Sequence, residues 1–150
     1  MQFDKLQDII QFAIDKEQEA SDFYLDLARR VKSDDIAAEL GKMAIIEERH
    51  KKMLQDMPFA FVADGGAPPV TDMKLADYIV ETPVSEDMSF QDIVNVAMHR
   101  ELASMNLYAS LAKIITDPTA KKVFENLASQ EQAHKNYFET IWDDNVMIEN

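Results

Sequence analysis

Glu47-Glu48-Arg49-His50 and Glu131-Gln132-Ala133-His134 are two copies of one pattern, Glu-x-x-His. On a helix a residue and the one three along lie on the same face, so each copy sets a carboxylate beside an imidazole. The chain of 150 residues holds three histidines, and two of them stand in this arrangement. One copy alone reads as a pair of solvated helical charges. Two copies read otherwise, because the offset between them, 84 positions, recurs along the chain.

Under that offset Glu17 maps onto Glu101, Tyr24 onto Tyr108, and Gln7-Asp8-Ile9 onto Gln91-Asp92-Ile93. Ala13, Leu27, Ala28, Ala44 and Lys51 find identical partners at Ala97, Leu111, Ala112, Ala128 and Lys135. The chain therefore consists of two copies of a helix pair, each with one lone Glu and one Glu-x-x-His. Four glutamates and two histidines from four helices form the inward-facing ligand set of the di-iron and di-manganese carboxylate bundles.

The hydrophobic spacing carries the helices. The first is predicted over 4–31, capped by Asp4 with Gln7 completing a capping box. Its seam steps by four and three through Leu6, Ile10, Ala13, Glu17, Ala20, Tyr24, Leu27 and Val31. Glu17 is the one charge in that stripe, and a core-facing carboxylate is costly without a partner. The second helix follows Ser33-Asp34 and ends before Pro58, with Ile36, Leu40, Met43, Glu47, His50 and Leu54 on its stripe. The short connection makes the two antiparallel neighbours.

From Met57 to Met88 the period is lost, and Gly65-Gly66, Pro68-Pro69 and Pro83 interrupt the stretch. Lys74 to Val80 is apolar enough to pack as a short helix or an extended piece. So long a connection inside a compact domain is read as a crossover along the bundle. The third helix begins at Ser89 and shows Phe90, Val94, Ala97, Glu101, Ser104, Tyr108, Leu111 and Ile115 on one face. The fourth follows Asp117-Pro118, with Ala120, Phe124, Leu127, Glu131, His134, Phe138 and Ile141 on its stripe, and is expected to close near Trp142. In each helix the candidate ligand falls near the midpoint, which sets all six groups at one level.

Composition bounds the function. A net charge of −13 argues against nucleic acid and against anionic membrane surfaces. Cysteine is absent, which excludes disulfides, thiolate metal sites and iron–sulfur clusters held by this chain. No apolar run reaches the length of a membrane span, and the N-terminus lacks a secretory pattern, so a cytoplasmic location is expected. Carboxylate with imidazole suits iron or manganese. Glu47 and Glu131 are read as bridging ligands, His50 and His134 as each holding one ion, and Glu17 and Glu101 as closing the ends. Tyr24 and Tyr108, two turns beyond the lone glutamates, are candidates to hydrogen-bond ligand carboxylates, or else ordinary core aromatics. His99 lies off its stripe and is read as a surface residue.

On Glu17 through Tyr24 with Glu47-x-x-His50, and Glu101 through Tyr108 with Glu131-x-x-His134, the chain resembles the ferritin-like superfamily and, within it, rubrerythrin-like proteins. Lys74-Leu-Ala-Asp-Tyr also resembles the crossover of short two-repeat members. The resemblance spans essentially the whole chain. It implies an all-α, ferritin-like four-helix bundle of two repeated helix pairs, one domain over 1–150 with 57–88 as the B–C crossover. It further implies a non-haem di-iron centre that reacts with oxygen or peroxide, with Glu17, Glu47, His50, Glu101, Glu131 and His134 as ligands.

Two departures are legible. Rubrerythrins proper carry a cysteine-ligated rubredoxin module and a further carboxylate one turn after the lone Glu of the third helix; here cysteine is absent and Ser104 stands at that position. The expected activity is a di-iron oxidoreductase of the ferroxidase or peroxidase type, acting on peroxide, oxygen or ferrous iron. Two iron ions, with manganese as the other possible metal, an external electron donor and a homodimer are expected. The alternative is an iron-handling or storage subunit of a ferritin-like assembly, and structural metals rank last.

Overall fold

The structure, a computed structural model, describes residues 6–57, 78, 85 and 87–149, with 144–149 described by backbone alone. Its helices in chain order are α1 (Leu6–Arg30), α2 (Asp34–Gln55), α3 (Phe90–Ile114) and α4 (Pro118–Glu149). Two compact units hold them, residues 3–70 and residues 71–150 with 1–2. Each unit is one copy of the sequence repeat: α1 packs on α2, and α3 packs on α4.

Local chemistry sets the helix ends. Ser33 is extended (φ −80°, ψ 121°), and its hydroxyl accepts from the Ile36 amide at 3.2 Å. Ser89 does the same for α3, accepting from the Asp92 amide at 3.1 Å, and Asp117 for α4, accepting from the Ala120 amide at 2.9 Å. Each cap satisfies an amide that the first turn leaves without a helical partner. Pro118 then starts α4, where its missing N–H costs nothing. Ile115 turns extended (ψ 129°) and ends α3, its amide donating to Leu111 at 3.0 Å.

The repeat is visible in the packing. Leu40, Met43 and Leu54 of α2 correspond to Phe124, Leu127 and Phe138 of α4, and all six are buried. Burying each such side chain contributes about 1.5–3 kcal/mol. The seams of α1 and α3 match them through Leu27 and Leu111, also buried.

Several boundaries differ from the sequence expectation. Ala20, Val31, Ile36 and Phe90 are only half-buried, whereas Ile9, Ser21 and Ala44, off the expected stripes, are buried. An apolar helix face is broad, so residues at its edge are decided by the neighbouring helix. α4 runs past Trp142 to Glu149, because no proline or glycine follows Pro118 to stop it. Met53 of α2 is exposed rather than packed. The Asp4 cap and nearly all of the 57–88 crossover lie outside the described residues. Within the Lys74–Val80 stretch Tyr78 is described: it is half-buried, and its hydroxyl donates to Ser110 Oγ of α3 at 3.3 Å. Among the described residues no helix is long and apolar enough to cross a membrane.

Candidate metal centre

In the α1–α2 hairpin, Glu47 and His50 share a face of α2 as their i,i+3 spacing requires, and the packed α1 brings Glu17 to them. All three are buried, at 2%, 1% and 1% exposure. His50 Nδ1 stands 3.6 Å from Glu17 Oε1 and 3.8 Å from Glu47 Oε2. The α3–α4 hairpin repeats the arrangement with Glu101, Glu131 and His134, at 1%, 1% and 6% exposure. There His134 Nδ1 lies 3.4 Å from Glu101 Oε1. Within each hairpin, one ligand atom from each of the three residues lies within 4.8 Å of the others.

These triads fit a divalent ion. The nitrogen–oxygen separations are longer than an ordinary N–H···O hydrogen bond, ~2.9 Å. They are close to the ~3.4 Å between two atoms that share an ion at tetrahedral angles with ligand bonds of ~2.1 Å. Charge agrees with distance. Two carboxylates and a neutral imidazole carry two negative charges per hairpin, which one divalent ion cancels. Left uncompensated, buried charges cost several kcal/mol each. The oxygen-and-imidazole donor set suits iron and manganese.

The other residues singled out in the sequence fall as follows. Tyr24 and Tyr108 are buried. Tyr24 meets the Phe23 ring edge-on at 5.7 Å between centroids, and Tyr108 stacks on Phe124 at 6.2 Å. His99 is exposed, its Nδ1 2.7 Å from the Asn95 carbonyl, so it stands apart from the triads. Glu48 and Arg49, off the stripe, are exposed, and Ser104 is half-buried. Sequence reasoning passed over Ser21. It is buried one turn beyond Glu17 and donates to the Ala44 carbonyl of α2 at 3.2 Å. A serine one turn from a core carboxylate, next to a stripe position filled by alanine, was the available signal.

Two solved structures are similar to the whole chain. A Thermotoga maritima protein described as a ferritin-like diiron-carboxylate protein matches with a TM-score of 0.79 at 21% identity, covering 97% of this chain and 99% of that one. A hypothetical protein from Pyrococcus furiosus matches with a TM-score of 0.67 at 20% identity, covering 92% of this chain and 88% of that one. The four helices thus have the all-α, ferritin-like four-helix-bundle fold. Residues 8–142 match the Rubrerythrin family, and the chain belongs to it. None of the curated proteins matches the sequence.

Proposed function

We propose that the protein is a dinuclear metal carboxylate oxidoreductase, with two iron ions as its cofactor and peroxide, oxygen or ferrous iron as its substrate. The observation that carries the reading is the pair of buried Glu/Glu/His triads, repeated at equivalent positions of the two hairpins. Membership in the Rubrerythrin family supports it, as does the diiron-carboxylate description of the Thermotoga maritima protein.

In this proposal His50 and Glu17 hold one ion, His134 and Glu101 hold the other, and Glu47 and Glu131 bridge the two. When bound, the ions supply electron transfer and polarise an oxygen–oxygen bond between them. The chain's own part is positioning and exclusion of water. The triads sit on rigid helices, and the buried side chains of Phe124, Leu127 and Leu40 keep the surroundings dry. Tyr24 and Tyr108 are proposed to orient ligand carboxylates from two turns away. With no cysteine in the chain, reducing electrons come from a separate donor protein or a small reductant, and the working unit is proposed to be a homodimer.

The test is to load metal-free protein with ferrous iron anaerobically, measure iron per chain, and then mix it with peroxide or with oxygen in a stopped-flow instrument. Two irons per chain, oxidised within seconds by one of the two oxidants, is the expected result. Iron that accumulates far beyond two per chain identifies ferrous iron as cargo and points to storage. Failure to take up two irons overturns the reading.

A further inference from the structure

The two hairpins are not braced alike beside their triads. In α1–α2 two side-chain bonds tie the helices together at the site. Ser21, one turn beyond Glu17, donates to the carbonyl of Ala44, one turn before Glu47. Lys51, next to His50, donates to Gln18 Oε1, next to Glu17, at 2.5 Å. The repeat mates cannot reproduce either bond. Ser21 corresponds to Met105 and Gln18 to Leu102, and neither side chain offers a hydroxyl or an amide. Lys135, the mate of Lys51, turns instead to Glu139 on its own helix.

A triad held at its spacing before an ion arrives loses less freedom when the ion binds, and so binds it more tightly. We infer that the α1–α2 triad of Glu17, Glu47 and His50 is the higher-affinity half of the centre and takes the first divalent ion, with Ser21 as the positioning residue that sets the difference. The inference rests on the dinuclear reading proposed above. Ser21 acts through the helix spacing and touches neither ion nor substrate. The centre then fills in order, α1–α2 first and α3–α4 second.

Manganese(II) titration of metal-free protein, followed by calorimetry and electron paramagnetic resonance, tests this. His134→Ala leaves the α1–α2 triad intact, and His50→Ala leaves the α3–α4 triad intact. The ion retained by His134→Ala should bind more tightly than the one retained by His50→Ala. Adding Ser21→Ala should weaken the ion in the His134→Ala background roughly five-fold, the weight of one hydrogen bond, and leave the other background unchanged. A merely structural role for Ser21 would move both backgrounds equally. Lys51→Met, read the same way, checks the second brace and should act in the same direction. Equal affinities in the two histidine variants, or a Ser21→Ala effect common to both, would overturn the inference while leaving the dinuclear centre standing. Wild-type protein that binds no manganese overturns both.

Discussion

Stripping divalent ions from the folded protein should lower its melting temperature by about 10–20 °C. The magnitude follows from the triads. Four glutamates lie buried at 1–2% exposure, so an ion held by them binds the folded chain and not the unfolded one. An ion present at a hundred times its dissociation constant then stabilises the fold by about 2.7 kcal/mol, and two ions by about 5 kcal/mol. For a chain of 150 residues each kcal/mol moves the midpoint by about 2–4 °C. The apo protein also keeps its buried carboxylates without the ions that neutralise them, which pushes in the same direction. The assay is differential scanning calorimetry of loaded and chelated protein, with metal content measured on each sample by mass spectrometry. Chelated protein shown to be metal-free and melting within about 2 °C of the loaded form would refute the reasoning, since no buried site could then couple ions to folding.

Glu47→Ala or Glu131→Ala should abolish binding of both ions, because each is proposed to bridge them, while His50→Ala removes mainly one; metal per chain after equilibrium dialysis decides it, and full dinuclear occupancy in Glu131→Ala would remove the bridging assignment. Phe124→Ala should cost about 3–5 kcal/mol, since the ring is fully buried and stacks on Tyr108, and urea unfolding of the variant measures it. Ser104 stands one turn after Glu101 and is too weak a ligand to capture an ion, so both metals should stay on His50 and His134 in either oxidation state. Crystals reduced with dithionite and then exposed to peroxide check this, and a metal displaced from its histidine by more than ~1 Å, against a tolerance of ~0.2 Å for a retained bond, would count against it.

Much of this protein was legible without coordinates, and the reason is that the informative relations are short-range. A Glu and a His three residues apart share a helix face wherever the helix sits, so Glu47 with His50 and Glu131 with His134 were paired by spacing alone. The four-and-three stepping of apolar residues set α1 to α4 nearly to the residue, and Ser33, Ser89 and Asp117 marked their starts because capping is a contact within one turn. The repeat at 84 positions carried the division into two hairpins.

The tertiary structure decided what depends on a neighbouring helix. Spacing placed Ala20 on the core stripe, but the approach of α2 buries Ser21 and leaves Ala20 half-exposed, because a face wide enough to pack has edges that only the partner resolves. Lys51 and Lys135 are the same residue at the same place in the repeat, yet one reaches across to Gln18 and the other lies along its own helix to Glu139. Nothing in either lysine's local sequence chooses between those partners; what lies within reach on the facing helix does. Glu17 and Glu101 differ from the many surface glutamates only in being buried beside a histidine, and that is a property of packed helices, which a one-dimensional pattern can suggest and packing alone produces.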